Sequence, residues 1–272
     1  MFPPAPLRLA LDRHIPDWGR IPWQRQKGGR TNLVWKVGNH IVKLYREDQQ
    51  TPLFANSAQN ESLALELLSE TQIPPKLTSA GSDWLIYEFV PGEPWQTGAE
   101  QVACLLGLLH SNGFAKRAPL PQFEPQMDFA VATTALLQQA ALSDTYALPE
   151  KDASRLSLVH GDPVPANIIA SEQGLTLIDW QCANIGDPAA DLAIFLSPAM
   201  QLVYRGKPLT MMEMDQFLSA YPGKAVVRHY HKYRHLHHLR LAAHCILRAR
   251  RGDLGYDDAA RAELAFARSL AP

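Results

Sequence analysis

The sequence predicts an α+β protein in which a small antiparallel sheet precedes a mainly helical region. Two observations carry this prediction. Before residue 90, short apolar runs are separated by Gly28-Gly29 and Gly38-Asn39, which are turn signals typical of antiparallel strands. Beyond Pro91-Gly92, apolar residues recur mostly at helical spacing. We therefore expect two units, residues 1–90 and 91–272.

The expected elements follow the chain in order. Five runs are predicted as strands of the first unit: Trp23–Lys27, Thr31–Val37, His40–Arg46, Lys76–Ala80 and Trp84–Val90. One helix is predicted at Ala58–Glu70, because leucines share one face and Pro74-Pro75 cannot continue a helix. In the second unit, helices at Glu100–His110 and Asp128–Ala141 are expected beneath two short apolar strands. These strands, Ser157–Val159 and Leu175–Ile178, are followed by a long helix at Arg228–Arg251.

Composition limits the classes of partner. The 272 residues are 46% hydrophobic, which is enough for a sizeable core, and 26 basic against 27 acidic residues give a net charge of -1. No global field therefore favours nucleic acid or an anionic membrane. No apolar run approaches membrane-spanning length, and the three cysteines, Cys104, Cys182 and Cys245, form no C-x-x-C pair. We expect a cytoplasmic protein with reduced, packed cysteines and no nucleic-acid or membrane partner; the oligomeric state stays open.

Three polar residues in Ser157–Trp180 have a spacing that indicates chemistry. Asp162 and Asn167 stand as D-x-x-x-x-N, and Asp179 closes the second apolar strand. Phosphoryl transfer in kinases needs an aspartate near the acceptor hydroxyl, and an asparagine and a second aspartate on magnesium. These three residues are therefore candidate catalytic residues.

Two upstream features complete such a set. The turn KGGRTN contains glycines that let backbone N–H groups approach an anion, although a hairpin turn without a ligand has the same sequence. Lys43 lies between apolar residues of a strand, with Glu61 on the next helix as its candidate partner; a lysine on a solvated strand face is the alternative. Together, the order Gly turn, Lys, Glu and metal ligands is that of a nucleotide-phosphate clamp.

Two further groups of titratable residues have a structural and a functional interpretation. Asp187 precedes Pro188 at a predicted helix start and Asp191 lies one turn on, so capping and loop bracing are favoured over substrate contact. In the long helix, His231, His235 and His238 recur at i, i+4 and i+7 and could hold a metal. Packing, or lining of an acceptor pocket, is the favoured alternative, since no carboxylate or cysteine stands at ligand spacing.

The chain resembles the aminoglycoside phosphotransferase and choline kinase superfamily of small-molecule kinases. VHGDPVPANII, LIDW and GDPAADLA carry the resemblance, which spans about Gln24 to Leu196, and GGRTN with HGDPVPAN is closer to the choline, ethanolamine and thiamine kinase branch. The resemblance implies a two-lobed protein-kinase-like fold. It also implies ATP and Mg2+ as cofactors and a small-molecule alcohol as phosphate acceptor.

It further implies roles for single residues. Asp162 would orient the acceptor hydroxyl and accept its proton, Asn167 and Asp179 would hold Mg2+, and Lys43 would contact the α- and β-phosphates, positioned by Glu61. The residues implied in covering the phosphates are Gly28, Gly29, Thr31 and Asn32. In LIYEFVPG, the Glu88 carbonyl and the Val90 N–H would contact adenine, and His160 would brace the catalytic loop. The chain departs from protein kinases in its shorter glycine turn and in Pro163 and Pro165 of the catalytic loop.

Alternatives remain. A peptide-binding protein kinase is disfavoured, because only Trp180–Asp187 separates the metal aspartate from the next predicted helix. A catalytically idle nucleotide-binding module on the same fold is the second hypothesis, although all three candidate catalytic residues are present. The acceptor is open between a choline, ethanolamine or thiamine type and an aminoglycoside or sugar type. The aromatic residues considered for a cationic acceptor are Trp180, Tyr204, Tyr230 and Tyr233, whereas the basic helix HLRLAAHCILRARR suits an anion.

Overall fold

The computed structural model describes residues 4–26, 31–46, 51–111, 113–114, 120, 127–143 and 156–271. Within them, a five-stranded antiparallel sheet is followed by a mainly helical region, which confirms the predicted fold class. The sheet consists of β1 (Trp23–Arg25), β2 (Leu33–Val37), β3 (His40–Leu44), β4 (Leu77–Ala80) and β5 (Trp84–Glu88). Its order is β1-β2-β3-β5-β4, so β5 inserts between β3 and β4.

A helix that the sequence analysis did not predict covers one face of this sheet. Helix α1 (Ala5–His14) buries Leu7 and Leu11 completely, and they pack in one cluster with Val42 and Trp84. The other face carries α2 (Ala58–Leu67), which is capped by Ser57 and is three residues shorter than predicted. The sheet thus has a helix on each face, and Lys43 on β3 has its carboxylate partner on α2.

The chain leaves the sheet after Glu88 and enters a small β layer. Strand β6 (Glu93–Pro94) pairs with β8 (Ile168–Ser171), and β8 pairs with β9 (Gly174–Leu177). Strand β7 (Ser157–Val159) pairs with β10 (Asn184–Gly186). Both predicted apolar strands exist, and each ends next to a candidate catalytic residue.

The helices of this region surround the β layer. They are α3 (Ala99–Ser111), α4 (Met127–Gln139), α5 (Pro188–Leu196), α6 (Pro198–Arg205), α7 (Met211–Ala220), α8 (Lys224–Arg250) and α9 (Tyr256–Ser269). Helix α3 packs against β7 and β9, as expected. The expectation for α4 is wrong: its Leu136 and Leu137 pack against Leu239 and Ala243 of α8, because α8 offers the apolar face that α4 needs.

The cysteines are unpaired, as predicted. Cys182 and Cys245 are buried, but Cys104 is exposed on α3, so it is not the packing residue that was expected. Among the described helices, none is long and apolar enough to cross a membrane.

Candidate active site

The catalytic loop brings Asp162 and Asn167 into direct contact. The Asn167 side chain donates from Nδ2 to the Asp162 backbone oxygen over 2.9 Å and to Asp162 Oδ2 over 3.2 Å. Since Nδ2 is used in this way, Oδ1 is the atom that Asn167 retains for a cation. Both residues line one cleft with Asp179 and Thr31. The structure therefore gathers all three predicted catalytic residues at one place.

Asp179 reaches the cleft through an unusual backbone conformation. Its φ of 66° and ψ of 62° are left-handed, a region that aspartate tolerates better than most non-glycine residues. The residue ends the segment after β9 and precedes the 3-10 turn Trp180–Cys182. Such local strain persists where the surrounding structure holds it, and it often marks a functional site.

Lys43 links the sheet to the catalytic loop. Its Nζ bonds Glu61 Oε2 over 2.5 Å and also contacts Asp179 Oδ1, and the whole lysine is 1% exposed. Burial alone would lower the pKa of Lys43, but the carboxylates of Asp179 and Glu61 outweigh it and raise the pKa. A lysine on a solvated strand face is thereby excluded, and the predicted Lys43–Glu61 pair is confirmed.

The Asp162 carboxyl has a pKa well above its usual range. Burial of the carboxyl is the main cause, and the negative charge of Asp179 adds to it, while the hydrogen bond from Asn167 acts in the opposite direction. A carboxylate of raised basicity at the bottom of a cleft is suited to accept a proton.

Asp191 holds the backbone of the catalytic loop. It accepts the His160 N–H over 2.8 Å and the Gly161 N–H over 2.9 Å, and its carboxylate contacts His110 Nε2 at 3.1 Å. The favoured interpretation of Asp191 as a loop brace is confirmed. The His160 ring braces the loop from the other side, since its Nε2 lies 3.0 Å from the Ile178 carbonyl oxygen.

Gly161 leaves no room for a side chain. Its φ is 79°, and a Cβ would lie 2.4 Å from the backbone oxygen of Cys182.

Asp187 is a helix cap, as predicted: its carboxylate accepts the Ala189 N–H over 2.9 Å at the start of α5. It also pairs with His229 over 2.8 Å.

Asn32 is buried in an amide network that joins the two regions of the chain. Its Nδ2 donates to Gln181 Oε1 over 2.6 Å and to Asn56 Oδ1 over 2.7 Å, and the residue is 2% exposed. Gln181 Nε2 in turn lies 3.3 Å from Thr31 Oγ1. The side chain of Asn32 thus points into the protein, so the group it can offer to phosphates is its backbone N–H.

The other residues expected to bind nucleotide lie apart from this network. Gly28 and Gly29 fall outside the described residues. Glu88 is the last residue of β5, and the next N–H, that of Phe89, donates to Asn39. Val90 follows the last paired residue, where the chain passes from the sheet to the helical region. Neither Glu88 nor Val90 lines the cleft of the catalytic residues.

An aromatic wall lines part of the cleft that contains Asp162. It consists of Phe54, Tyr204, His244 and Tyr256, with Met200 beside them. Of the four aromatic residues considered for acceptor binding, Tyr204 alone lines this cleft. The other three are core residues: Trp180, Tyr230 and Tyr233 are at most 5% exposed.

Two histidines of α8 that were considered as metal ligands contact protein groups instead. His235 Nδ1 lies 2.7 Å from the Ala267 oxygen, and His238 lies between Glu263 (2.6 Å) and the Tyr230 hydroxyl (3.1 Å). In the part of the chain that the structure describes, no cluster of three or more His, Cys, Asp or Glu side chains could hold a metal. The favoured interpretation of packing and pocket lining is the one that fits.

Comparison with known proteins decides the family. The model of the phosphotransferase enzyme family APH matches residues 23–236. The chain belongs to this family. Thiamine kinase of Escherichia coli O17:K52:H18 is 31% identical over 195 residues, covering 67% of this chain and 68% of that protein.

Solved structures show the same fold for this member of the family. A choline/ethanolamine kinase family protein from Mesorhizobium loti superposes with a TM-score of 0.68 at 16% identity, over 97% of this chain and 94% of the other. The streptomycin–ATP–APH(2″)-IIa ternary complex gives a TM-score of 0.63 at 16% identity, over 96% and 97%. The resemblance inferred from the sequence motifs is therefore confirmed, and so is the protein-kinase-like fold.

Several residues of the phosphotransferase site were not foreseen. Tyr45 contacts Glu61 Oε2 through its hydroxyl, and its ring lies 4.8 Å from Lys43 Nζ. A signal existed, because Tyr45 is two residues beyond Lys43 and so shares its side of the strand. Phe54 and Gln181 had no local signal, since their partners are distant in sequence.

Proposed function

We propose that this member of the phosphotransferase family transfers the γ-phosphoryl group of ATP to a hydroxyl of a small molecule. The observation that carries the proposal is the contact of Lys43 with Asp179, in a cleft that Asp179 shares with Asp162 and Asn167. This contact places a fixed cation next to the carboxylate that phosphates and their counter-ion require.

Asp162 is the group that acts on the acceptor. Its carboxylate orients the alcohol and accepts the proton of the hydroxyl, while the oxygen of that hydroxyl bonds the γ-phosphorus and the bond to the β-γ bridging oxygen breaks. The proton ends on Asp162, and ADP is the leaving group. The raised pKa of Asp162 increases its strength as a proton acceptor, and the hydrogen bond from Asn167 fixes its orientation.

The donor set fits Mg2+. Asn167 retains Oδ1, and Asp179 retains Oδ2, because Lys43 contacts Oδ1 of Asp179. Mg2+ prefers such hard oxygen ligands and does not require a sulfur or imidazole ligand. When bound, Mg2+ neutralises the charge on the phosphates. Asn167 and Asp179 are the residues that we propose to hold it.

ATP is proposed to lie between the units 1–90 and 91–272. Lys43 contacts the α- and β-phosphates, and Glu61 holds the lysine in place. The phosphates are covered by the turn of Gly28, Gly29, Thr31 and Asn32, and adenine meets the Glu88 carbonyl and the Val90 N–H. Solved structures of the same fold in complex with AMP and with ATP support a nucleotide as the donor.

The acceptor is an alcohol that lies between Asp162 and the aromatic wall. Thiamine is the first candidate, because the curated relatives at about a third identity are thiamine kinases. Choline, ethanolamine, sugars and aminoglycosides follow, since fold neighbours are named for choline and ethanolamine kinases and for aminoglycoside phosphotransferases.

The test is ADP formation with each of these acceptors in the presence of ATP and Mg2+. The proposal expects at least one acceptor to stimulate ADP formation and to appear as its phosphate ester. Stabilisation by ATP and Mg2+ in a thermal-shift assay, without turnover on any acceptor, would instead support the idle nucleotide-binding module.

A further inference from the structure

His244 is the polar member of the aromatic wall. The residue is 4% exposed, and its ring lies edge-on to Phe54 at 4.7 Å and to Tyr256 at 6.0 Å. The Tyr256 hydroxyl is 3.4 Å from that of Tyr204, so the ring of His244 belongs to a cluster of aromatic side chains. The ring lines the cleft that contains Asp162. An imidazole therefore lines the same cleft as the groups proposed to act on the hydroxyl.

His244 differs from the other buried histidines of its helix. His235 and His238 have partners for their ring nitrogens, as described above. Among the residues that the structure describes, no hydrogen bond to a ring nitrogen of His244 is found, and the two nitrogens are not among the fully buried polar atoms without a partner, so they are open to the cleft. A polar group that lines a cleft and has no hydrogen bond within the protein is available to a ligand in that cleft. A ligand group is the partner that the cleft allows.

The protonation state of His244 defines what it can bind. Burial, which is the largest cause, and the nearby guanidinium groups of Arg248 and Arg251 together lower the pKa of His244 to about 3. The ring is therefore neutral at physiological pH, and it offers one N–H donor and one lone pair. It is suited to an uncharged hydrogen-bonding group, such as a heteroaromatic nitrogen, an amino group on such a ring, or a hydroxyl.

The surroundings disfavour a quaternary ammonium group at this end of the cleft. The Arg248 guanidinium lies 5.1 Å from the ring centre of Tyr256, so a protein cation already occupies one aromatic face. Asp253 pairs with Arg248 over 2.5 Å, which holds the guanidinium in place. A trimethylammonium group would meet this positive charge and would leave His244 without a hydrogen bond.

We propose that His244 determines acceptor specificity by hydrogen-bonding an uncharged polar group at the end of the acceptor remote from its reacting alcohol. The cleft then favours an alcohol that carries a heteroaromatic ring or further hydroxyls over one that ends in a quaternary ammonium group. This inference rests on the proposed phosphotransferase function and names the acceptor class of the same site.

The test compares thiamine, glucose and choline as acceptors for the wild type and for His244→Phe. Thiamine carries an aminopyrimidine ring and glucose carries hydroxyls, whereas choline ends in a trimethylammonium group that has no hydrogen-bond donor or acceptor. We expect the wild type to use thiamine or glucose better than choline. His244→Phe raises the KM of the better of these two about tenfold, the loss of one hydrogen bond. The kcat and the KM for ATP stay within about twofold, and choline is used no worse.

Two further variants separate recognition from packing. His244→Gln keeps a donor and an acceptor, so it is expected to retain the wild-type KM within about threefold. His231→Phe, on the exposed side of the same helix, is expected to leave the KM and kcat for every acceptor unchanged. If His244→Phe left the ratio of kcat/KM for thiamine or glucose to that for choline unchanged, or if the wild type preferred choline, His244 would not be the specificity residue.

Failure of the proposed function would be recognised separately. Loss of all ADP formation, with no stabilisation by ATP and Mg2+, would contradict phosphotransfer itself. ADP formation that depends on Asp162 but is stimulated by none of the three acceptors would overturn the acceptor class and leave the phosphotransfer assignment standing.

Discussion

Asn32 donates a hydrogen bond from Nδ2 to Oε1 of Gln181 over 2.6 Å, although the two residues are 149 positions apart. Gln181 lies two residues beyond Asp179, in the 3-10 turn that the left-handed conformation of Asp179 begins. The bond therefore connects the turn before β2 to the segment that presents the proposed magnesium ligand.

Gln181→Leu removes this connection and leaves the buried amide of Asn32 short of a partner. Leaving a buried amide without its partner costs about 1 to 3 kcal/mol of stability. We expect the segments of Asp179 and Thr31 to shift together to relieve this cost. We expect the KM for ATP to rise about tenfold while the KM for the acceptor changes little. Steady-state kinetics measures both, and Gln59→Leu, at an exposed position of α2, is the matched control. Equal KM values for ATP in Gln181→Leu and wild type would show that the network has no part in nucleotide binding.

Asp191→Asn tests the brace of the catalytic loop. Asn offers one acceptor oxygen where the carboxylate accepts two backbone N–H groups, those of His160 and Gly161. Because the loop then loses its fixed position, kcat is expected to fall about a hundredfold, with a much smaller change in the KM for ATP. Asp215→Asn, exposed on α7, is the control. A kcat for Asp191→Asn near that of the control would contradict the bracing role.

Lys43→Met tests the phosphate contact. The change removes a cation that contacts both Glu61 and Asp179, and it replaces a charge with an apolar chain of similar length. We expect kcat/KM for ATP to fall about a thousandfold, because a charge-neutralising contact to the phosphates is lost. Lys76→Met, exposed before β4, should leave the value unchanged. Isothermal titration with ATP and Mg2+ would show whether binding or turnover is affected.

His237 and His244 make stability depend on pH. Burial lowers the pKa of each to about 3, below the value of 6.5 expected when the chain unfolds. Between these two values the unfolded state binds protons that the native state does not, so the free energy of unfolding rises with pH across this window and levels off above it. Each histidine is expected to raise the free energy of unfolding by about 1 to 2 kcal/mol as the pH rises from about 5 to about 7.

His244→Phe removes one of these two groups. The difference in unfolding free energy between pH of about 5 and 7 should therefore be smaller in the variant by about 1 to 2 kcal/mol. Urea denaturation at both pH values measures it. An unchanged difference would mean that His244 takes up its proton in the native state.

The sequence could predict the parts of the site that depend on local order. Asp162, Asn167 and Asp179 lie within 18 positions and follow short apolar strands, so their convergence was readable from spacing. Lys43 and Glu61 could be paired because a strand and the next helix are neighbours along the chain. Most of the predicted strand ends differ from the observed ones by one or two residues. A strand ends where its pairing with the neighbouring strand ends, and the sequence of one strand does not show that point.

What the sequence could not predict depends on contacts between distant segments. The amide network of Asn32, Asn56 and Gln181 joins side chains that have no periodicity in common. The aromatic wall likewise draws Phe54 from the segment before α2, Tyr204 from α6 and Tyr256 from α9. Helix α1 was overlooked, since its two buried leucines, Leu7 and Leu11, are separated by one turn and their pattern is short.

The most direct test of the proposed roles of Asp162 and Asp179 in phosphotransfer measures ATP-dependent phosphorylation of an alcohol by the wild type, Asp162→Asn and Asp179→Asn. Both variants keep the side-chain volume, and each is expected to lower kcat about a thousandfold or more. Asp179→Asn should in addition require more Mg2+ for half-maximal rate, whereas Asp162→Asn should not. Normal magnesium-dependent turnover by Asp179→Asn, or by Asp162→Asn, would contradict the account.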